Sequence, residues 1–109
     1  MKSDVVKRNA FIMKLKPGFA AEYKRRHDEI WPELARALKQ AGISDYSIYL
    51  DEETLTLFAF QKLSCNNRAD TLPGQAIVKK WWKYMADIME TNENLSPAVR
   101  ELKEVFHLD

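Results

Sequence analysis

The sequence predicts an α+β fold with four strands and two helices in the order βαββαβ. Three observations carry this. Apolar side chains alternate with a period of two at 7–15, 45–50 and 55–61, as half-buried strands require, and 104–108 supplies a fourth short apolar run. Residues 19–40 and the stretch from Ile77 to Ile88 instead repeat apolar residues at helical spacing. No linker, repeat or low-complexity tract divides the 109 residues, so the elements form one domain over 1–109, long enough to bury roughly two-thirds of its unfolded surface.

The first strand runs from Lys7 to Leu15, with Phe11, Met13 and Leu15 on one face and Ala10 and Ile12 on the other, and Pro17-Gly18 stops it. A first helix follows from about Phe19 to Gln40 and ends at Gly42. Pro32 lies inside that pattern. Its ring clashes with the carbonyl of Asp28 and pushes Trp31 out of helical geometry, which predicts a kink or break around Ile30-Trp31. Next, 45–50 sets Tyr46, Ile48 and Leu50 against Ser47, Tyr49 and Asp51. A polar turn at Glu52-Glu53 returns the chain through Leu55–Gln61 as an antiparallel hairpin.

Ser64 to Gly74 is polar and broken by Pro73-Gly74, so it reads as an irregular connection. The second helix carries Ile77, Val78, Trp81, Trp82, Met85 and Ile88 on one broad stripe and ends before Thr91–Asn94. Ser96-Pro97 suits a further turn, and Glu104–Leu108 is the predicted last strand. This order folds most simply as a four-stranded antiparallel sheet with both helices on one face, the ferredoxin-like arrangement. Leu55, Leu57 and Ala59 occupy one side of the third strand and Phe58 and Phe60 the other, so the face away from the helices is still apolar. An apolar sheet face normally meets a partner, so a homodimer with sheets packed face to face is expected.

Charge narrows the function classes. Seventeen Lys and Arg against sixteen Asp and Glu give a formal net charge of +1, too small to recruit nucleic acid or an anionic membrane. The basic run Lys79-Lys80-Trp81-Trp82-Lys83 reads as a solvated helix face rather than a nucleic-acid patch. Cys65 is the lone cysteine, the start Met1-Lys2-Ser3-Asp4 is polar, and no apolar run approaches the roughly 20 residues a membrane span needs. A soluble cytoplasmic protein acting on a neutral or weakly charged small molecule is the expectation.

At about 100° per residue, Phe19, Tyr23, His27, Ile30, Leu34 and Leu38 fall on one arc of the first helix, so His27 faces inward beside a phenol. An imidazole titrates nearest neutrality, which makes His27 a candidate proton-transfer group; the competing role is a hydrogen-bonded core histidine. With both helices on one sheet face, Trp81 or Trp82 and Tyr46 converge on the same space. Indole walls with a few directed polar groups suit a sugar. Adjacent helical residues diverge by about 100°, so one of the two tryptophans is expected to serve core packing, as Tyr46 would if it were simply a half-buried strand aromatic.

Tyr23-x-x-x-His27 running into Ile30-Trp31-Pro32-Glu33-Leu34, Tyr46-x-Ile48-Tyr49-Leu50, Trp81-Trp82-Lys83-Tyr84-Met85 and Glu101-Leu102-x-Glu104-Val105-Phe106 together resemble the L-rhamnose mutarotases over nearly the whole chain. The resemblance implies a dimeric α+β barrel and a cofactor-free epimerase acting on the anomeric carbon of L-rhamnose, without a metal. It also implies His27 as the proton donor and Tyr23, Tyr46, Trp81 and Trp82 as sugar-binding residues. The segment Cys65–Leu72 departs from the family pattern, with Ala69 where a tryptophan commonly follows the arginine.

Anomer exchange requires only that the anomeric hydroxyl lose a proton while the ring oxygen gains one. His27 as general acid to the ring oxygen is worth roughly 10²- to 10⁴-fold, and Tyr23 would orient the sugar or relay the proton. Water, Glu33, Asp45 and His107 remain open as the complementary base. Two other readings fit the same residues: a small cofactor-free monooxygenase on the same fold, and a non-catalytic dimeric ligand-binding module.

Overall fold

The computed structural model describes residues 6–109. The chain forms β1 (Lys7–Lys14), α1 (Ala20–Asp28), α2 (Pro32–Gln40), β2 (Ile43–Asp51), β3 (Thr56–Leu63), a 3₁₀ turn (Ala69–Gly74), α3 (Ala76–Met85) and β4 (Arg100–Glu101). The four strands make one antiparallel sheet in the order β2-β3-β1-β4, so the α+β class and the ferredoxin-like topology are as expected.

The register sorts the side chains by face. Phe11 pairs with Ala59 and Met13 with Leu57 across β1 and β3, and Ile48 and Leu50 meet the same two β3 residues from β2. Their side chains join Tyr23, Met85, Ile88 and Met89 in one core cluster, with Leu57 and Ala59 almost completely buried. A second cluster joins Leu34, Ala41, Ile43, Leu72 and Val78 under α2 and α3. The helices therefore cover one sheet face. On the other face Phe58 is half-buried, while Phe60 and Tyr49 are 44% and 64% exposed and meet edge to face with ring centroids 6.0 Å apart.

Pro32 does more than kink the first helical pattern. It splits it into two nine-residue helices, α1 and α2, because Trp31 takes up extended backbone and Pro32 sits at the first position of α2, where its missing N–H costs nothing. Gly42 stops α2 at a φ of +91°.

One predicted element is displaced. Glu104–Leu108 forms no strand; β1 instead pairs with Arg100 and Glu101, and the Leu102 amide adds one bond to the Ala10 carbonyl. The chain has left the sheet by Val105, Phe106 and Leu108, which are all highly exposed. The connection after β3 is more regular than its composition suggests, since Leu72 anchors the 3₁₀ turn in the core.

Candidate active site

The last two turns of α1 carry Tyr23 and His27. Tyr23 is buried at 8% exposure and stacks on His27, their ring centroids 4.2 Å apart and their planes 26° from parallel. One turn of helix separates the two residues, which is why a local spacing of four brings the rings together. The Trp81 indole from α3 meets the imidazole edge-on at 5.4 Å. Tyr46 enters from β2, its ring 6.5 Å from Phe11. All four, together with Trp82, line one cavity of about 1010 Å³ between the helices and the sheet. The five residues picked out in the sequence thus share one space, and both tryptophans face it. That volume is at the upper end of the roughly 300–1,000 Å³ common for small-molecule sites.

The rest of the wall is mainly apolar, with Met13, Ile48, Leu50 and Leu57 on the sheet side and Met85 on α3. Lys24, Asp28 and Asp45 add charge, and the first two form an ion pair at 2.8 Å. Of the three residues left open as the base, only Asp45 borders the cavity, and its carboxylate is turned away to Lys62. Glu33 does not line it, and His107 lies on the exposed tail beside Asp109.

Electrostatics define the proton states. His27 Nδ1 lies 3.0 Å from the Tyr23 carbonyl, an atom that only accepts, so Nδ1 holds the hydrogen in the neutral ring and Nε2 presents a lone pair. Burial lowers the His27 pKa, a change the Tyr23 carbonyl partly opposes, and so the ring is neutral at neutral pH. Burial drives the Tyr23 phenol well above its ordinary value, and the nearby Tyr46 adds to this. Tyr46 as a residue is 38% exposed, yet burial of its hydroxyl pushes its pKa up to about 12. Both phenols remain hydrogen-bond donors across the physiological range.

Two residues absent from the sequence-based site hold it together. Arg26, 9% exposed, bonds through Nε to Glu22 at 2.7 Å, through one terminal nitrogen to the Tyr84 carbonyl at 2.7 Å, and to Asp87 at 2.9 Å. Its guanidinium also lies 4.4 Å from the centre of the Tyr84 ring. This ties the turn bearing His27 to the end of α3. Trp31, extended at the helix break, packs edge-on against Trp81 at 5.0 Å and buttresses the indole from behind. No periodicity marks Arg26, because its partner Asp87 is 61 residues away.

The family model described as L-rhamnose mutarotase matches residues 8–108. This chain belongs to that family. A relative named L-rhamnose mutarotase from Flavobacterium johnsoniae is 58% identical over 102 residues, covering 94% of this chain and 95% of the relative. Another of the same name, from Bacteroides thetaiotaomicron, is 56% identical over 95% of this chain and all of its own length. The crystal structure of L-rhamnose mutarotase from Formosa agariphila matches with a TM-score of 0.88 and 52% identity, over 94% of this chain and 99% of that one. Membership of the L-rhamnose mutarotase family makes the chain a carbohydrate epimerase, an isomerase, and disfavours the monooxygenase reading. Among the described residues no group of three or more His, Cys, Asp or Glu is arranged to hold a metal, and no helix is long and apolar enough to cross a membrane.

Proposed function

We propose that this cavity is where the protein interconverts the α and β anomers of L-rhamnopyranose, with His27 as the single proton carrier. The observation that carries the reading is the neutral imidazole, its Nδ1 hydrogen bound to the Tyr23 carbonyl and its other nitrogen free beside Tyr23 and Trp81. Nε2 takes the proton of the anomeric hydroxyl. The C1–O1 bond becomes a carbonyl, the C1–O5 electron pair leaves with the ring oxygen, and the imidazolium returns its proton to O5. Rotation about C1–C2 and the reverse steps give the other anomer.

O1 and O5 sit on the same carbon, so one nitrogen reaches both in turn, and no separate base is required. His27 is then the expected proton donor to the ring oxygen, but only after it has acted as acceptor. Because only a proton moves, the reading calls for no cofactor. Tyr23 and Tyr46 donate hydrogen bonds to sugar oxygens, and Trp81 and Trp82 stack on the C–H face. The C6 methyl of rhamnose adds apolar contact worth about 1 kcal/mol, so faster exchange on L-rhamnose than on D-glucose follows, with partial discrimination.

The working form in this reading is a cytoplasmic homodimer of single-domain subunits, joined through the sheet face of Phe58, Phe60 and Tyr49. Neither nucleic acid nor a membrane is a partner. Saturation-transfer NMR on L-rhamnose tests the chemistry. Exchange between anomers should fall at least about a hundredfold in His27→Asn while sugar binding persists. A folded His27→Asn protein with full exchange would remove His27 from the mechanism.

A further inference from the structure

Tyr46 reaches the cavity because β2 is irregular just before it. Ser44 pairs with Lys62 and Ser47 with Phe60, so Asp45 and Tyr46 together oppose Gln61 alone, which makes a β-bulge. Asp45 has a φ of +50°, the left-handed conformation for which asparagine and aspartate are enriched among non-glycine residues.

The bulge resets the alternation of the strand. Before it the odd-numbered Ile43 packs under the helices; after it the even-numbered Ile48 and Leu50 do. An unbulged β2 keeps only one of these parities, and in register with Ile43 it turns Tyr46 to the opposite face. No hydrogen bond among the described residues holds the Tyr46 hydroxyl, so its direction comes from the backbone and the Phe11 contact. The Asp45 carboxylate itself is mainly exposed and turned to Lys62 at 3.2 Å.

We infer that Asp45 is a positioning residue, whose left-handed backbone rather than its carboxylate aims Tyr46 at the substrate. The substrate half of this inference rests on the proposed role of Tyr46 in sugar binding; the structural half does not. Asp45→Gly keeps the backbone conformation and removes the carboxylate, whereas Asp45→Val opposes a positive φ.

Two readouts separate the halves: the proton NOE between the Tyr46 and Phe11 rings, and KM against kcat for L-rhamnose exchange. Asp45→Gly should keep the NOE and both constants within about twofold, and Lys62→Met should do the same. Asp45→Val should weaken the NOE and raise KM severalfold, and in an Asp45→Val/Tyr46→Phe pair the two increases should not multiply. A folded Asp45→Val protein with the NOE and KM unchanged would overturn the inference. So would an Asp45→Gly protein that loses either, a comparison that stands even where valine prevents folding. If Tyr46→Phe alone leaves KM unchanged, the sugar-binding role of its hydroxyl fails, and with it the substrate half of the inference, while the NOE still decides whether residue 45 sets the ring.

Discussion

With its Nδ1 hydrogen given to the Tyr23 carbonyl, His27 has one nitrogen left for chemistry, and burial keeps that nitrogen unprotonated at neutral pH. The sign of the pH dependence follows. The neutral ring is the form that accepts the anomeric proton, and its pKa lies below the ordinary 6.5. The acid limb of kcat/KM should therefore have its midpoint below pH 6.5, with a plateau through neutrality. A rate that rises on acidification across that range would assign the work to the imidazolium instead. Tyr23→Phe preserves the stacked ring and deletes one donor, so KM should rise severalfold with a smaller change in kcat, as steady-state kinetics on L-rhamnose would record. Spacing alone placed Tyr23 and His27 on one helix face. The tautomer lay outside its reach, because it depends on the side-chain rotation that brings Nδ1 onto the Tyr23 carbonyl.

Elements hold these residues in place through contacts distant in sequence. The Arg26 clamp fastens α1 to the end of α3, and Arg26→Met should cost about 2 kcal/mol in urea unfolding by removing charge-assisted bonds to Glu22, Tyr84 and Asp87. Arg25 and then Arg26 hold the Glu22 carboxyl at about 2 against an ordinary 4.5. A lowered folded-state pKa means the stabilisation is complete above pH 4.5 and is lost as the pH falls toward 2. At the other end of α2, a Cβ on Gly42 would run into Ser64 Oγ and lie 3.0 Å from Asn67 Cα, at a φ of +91°. Gly42→Ala should thus cost at least about 1 kcal/mol, measured the same way. The break at Pro32 was legible because it follows from one ring and one missing N–H. The end of the sheet was not: Glu104–Leu108 carries strand-like residues, but pairing depends on where the chain meets β1, and only Arg100 and Glu101 do. The bulge in β2 was equally hidden, since an aspartate before a tyrosine is common in ordinary turns.

For the molecule as a whole, the two faces of β3 separate folding from assembly. Leu57 is 1% exposed under the helices, whereas Phe58 points to the uncovered face. Leu57→Asp should yield unfolded or insoluble protein, and Phe58→Asp a folded monomer by sedimentation velocity. A wild-type chain that sediments as a monomer at high concentration would end the dimer proposal. The same architecture gathers every tryptophan of the chain into one place. Trp81 and Trp82 line the cavity, Trp31 lies 5.0 Å from Trp81, and Trp81 lies 5.4 Å from His27. Imidazolium quenches indole emission and neutral imidazole does so far less. Intrinsic fluorescence is therefore a built-in gauge of the site: emission should dim as His27 takes up its proton, with a midpoint matching the acid limb of the rate, and His27→Asn should flatten that curve without any label being attached.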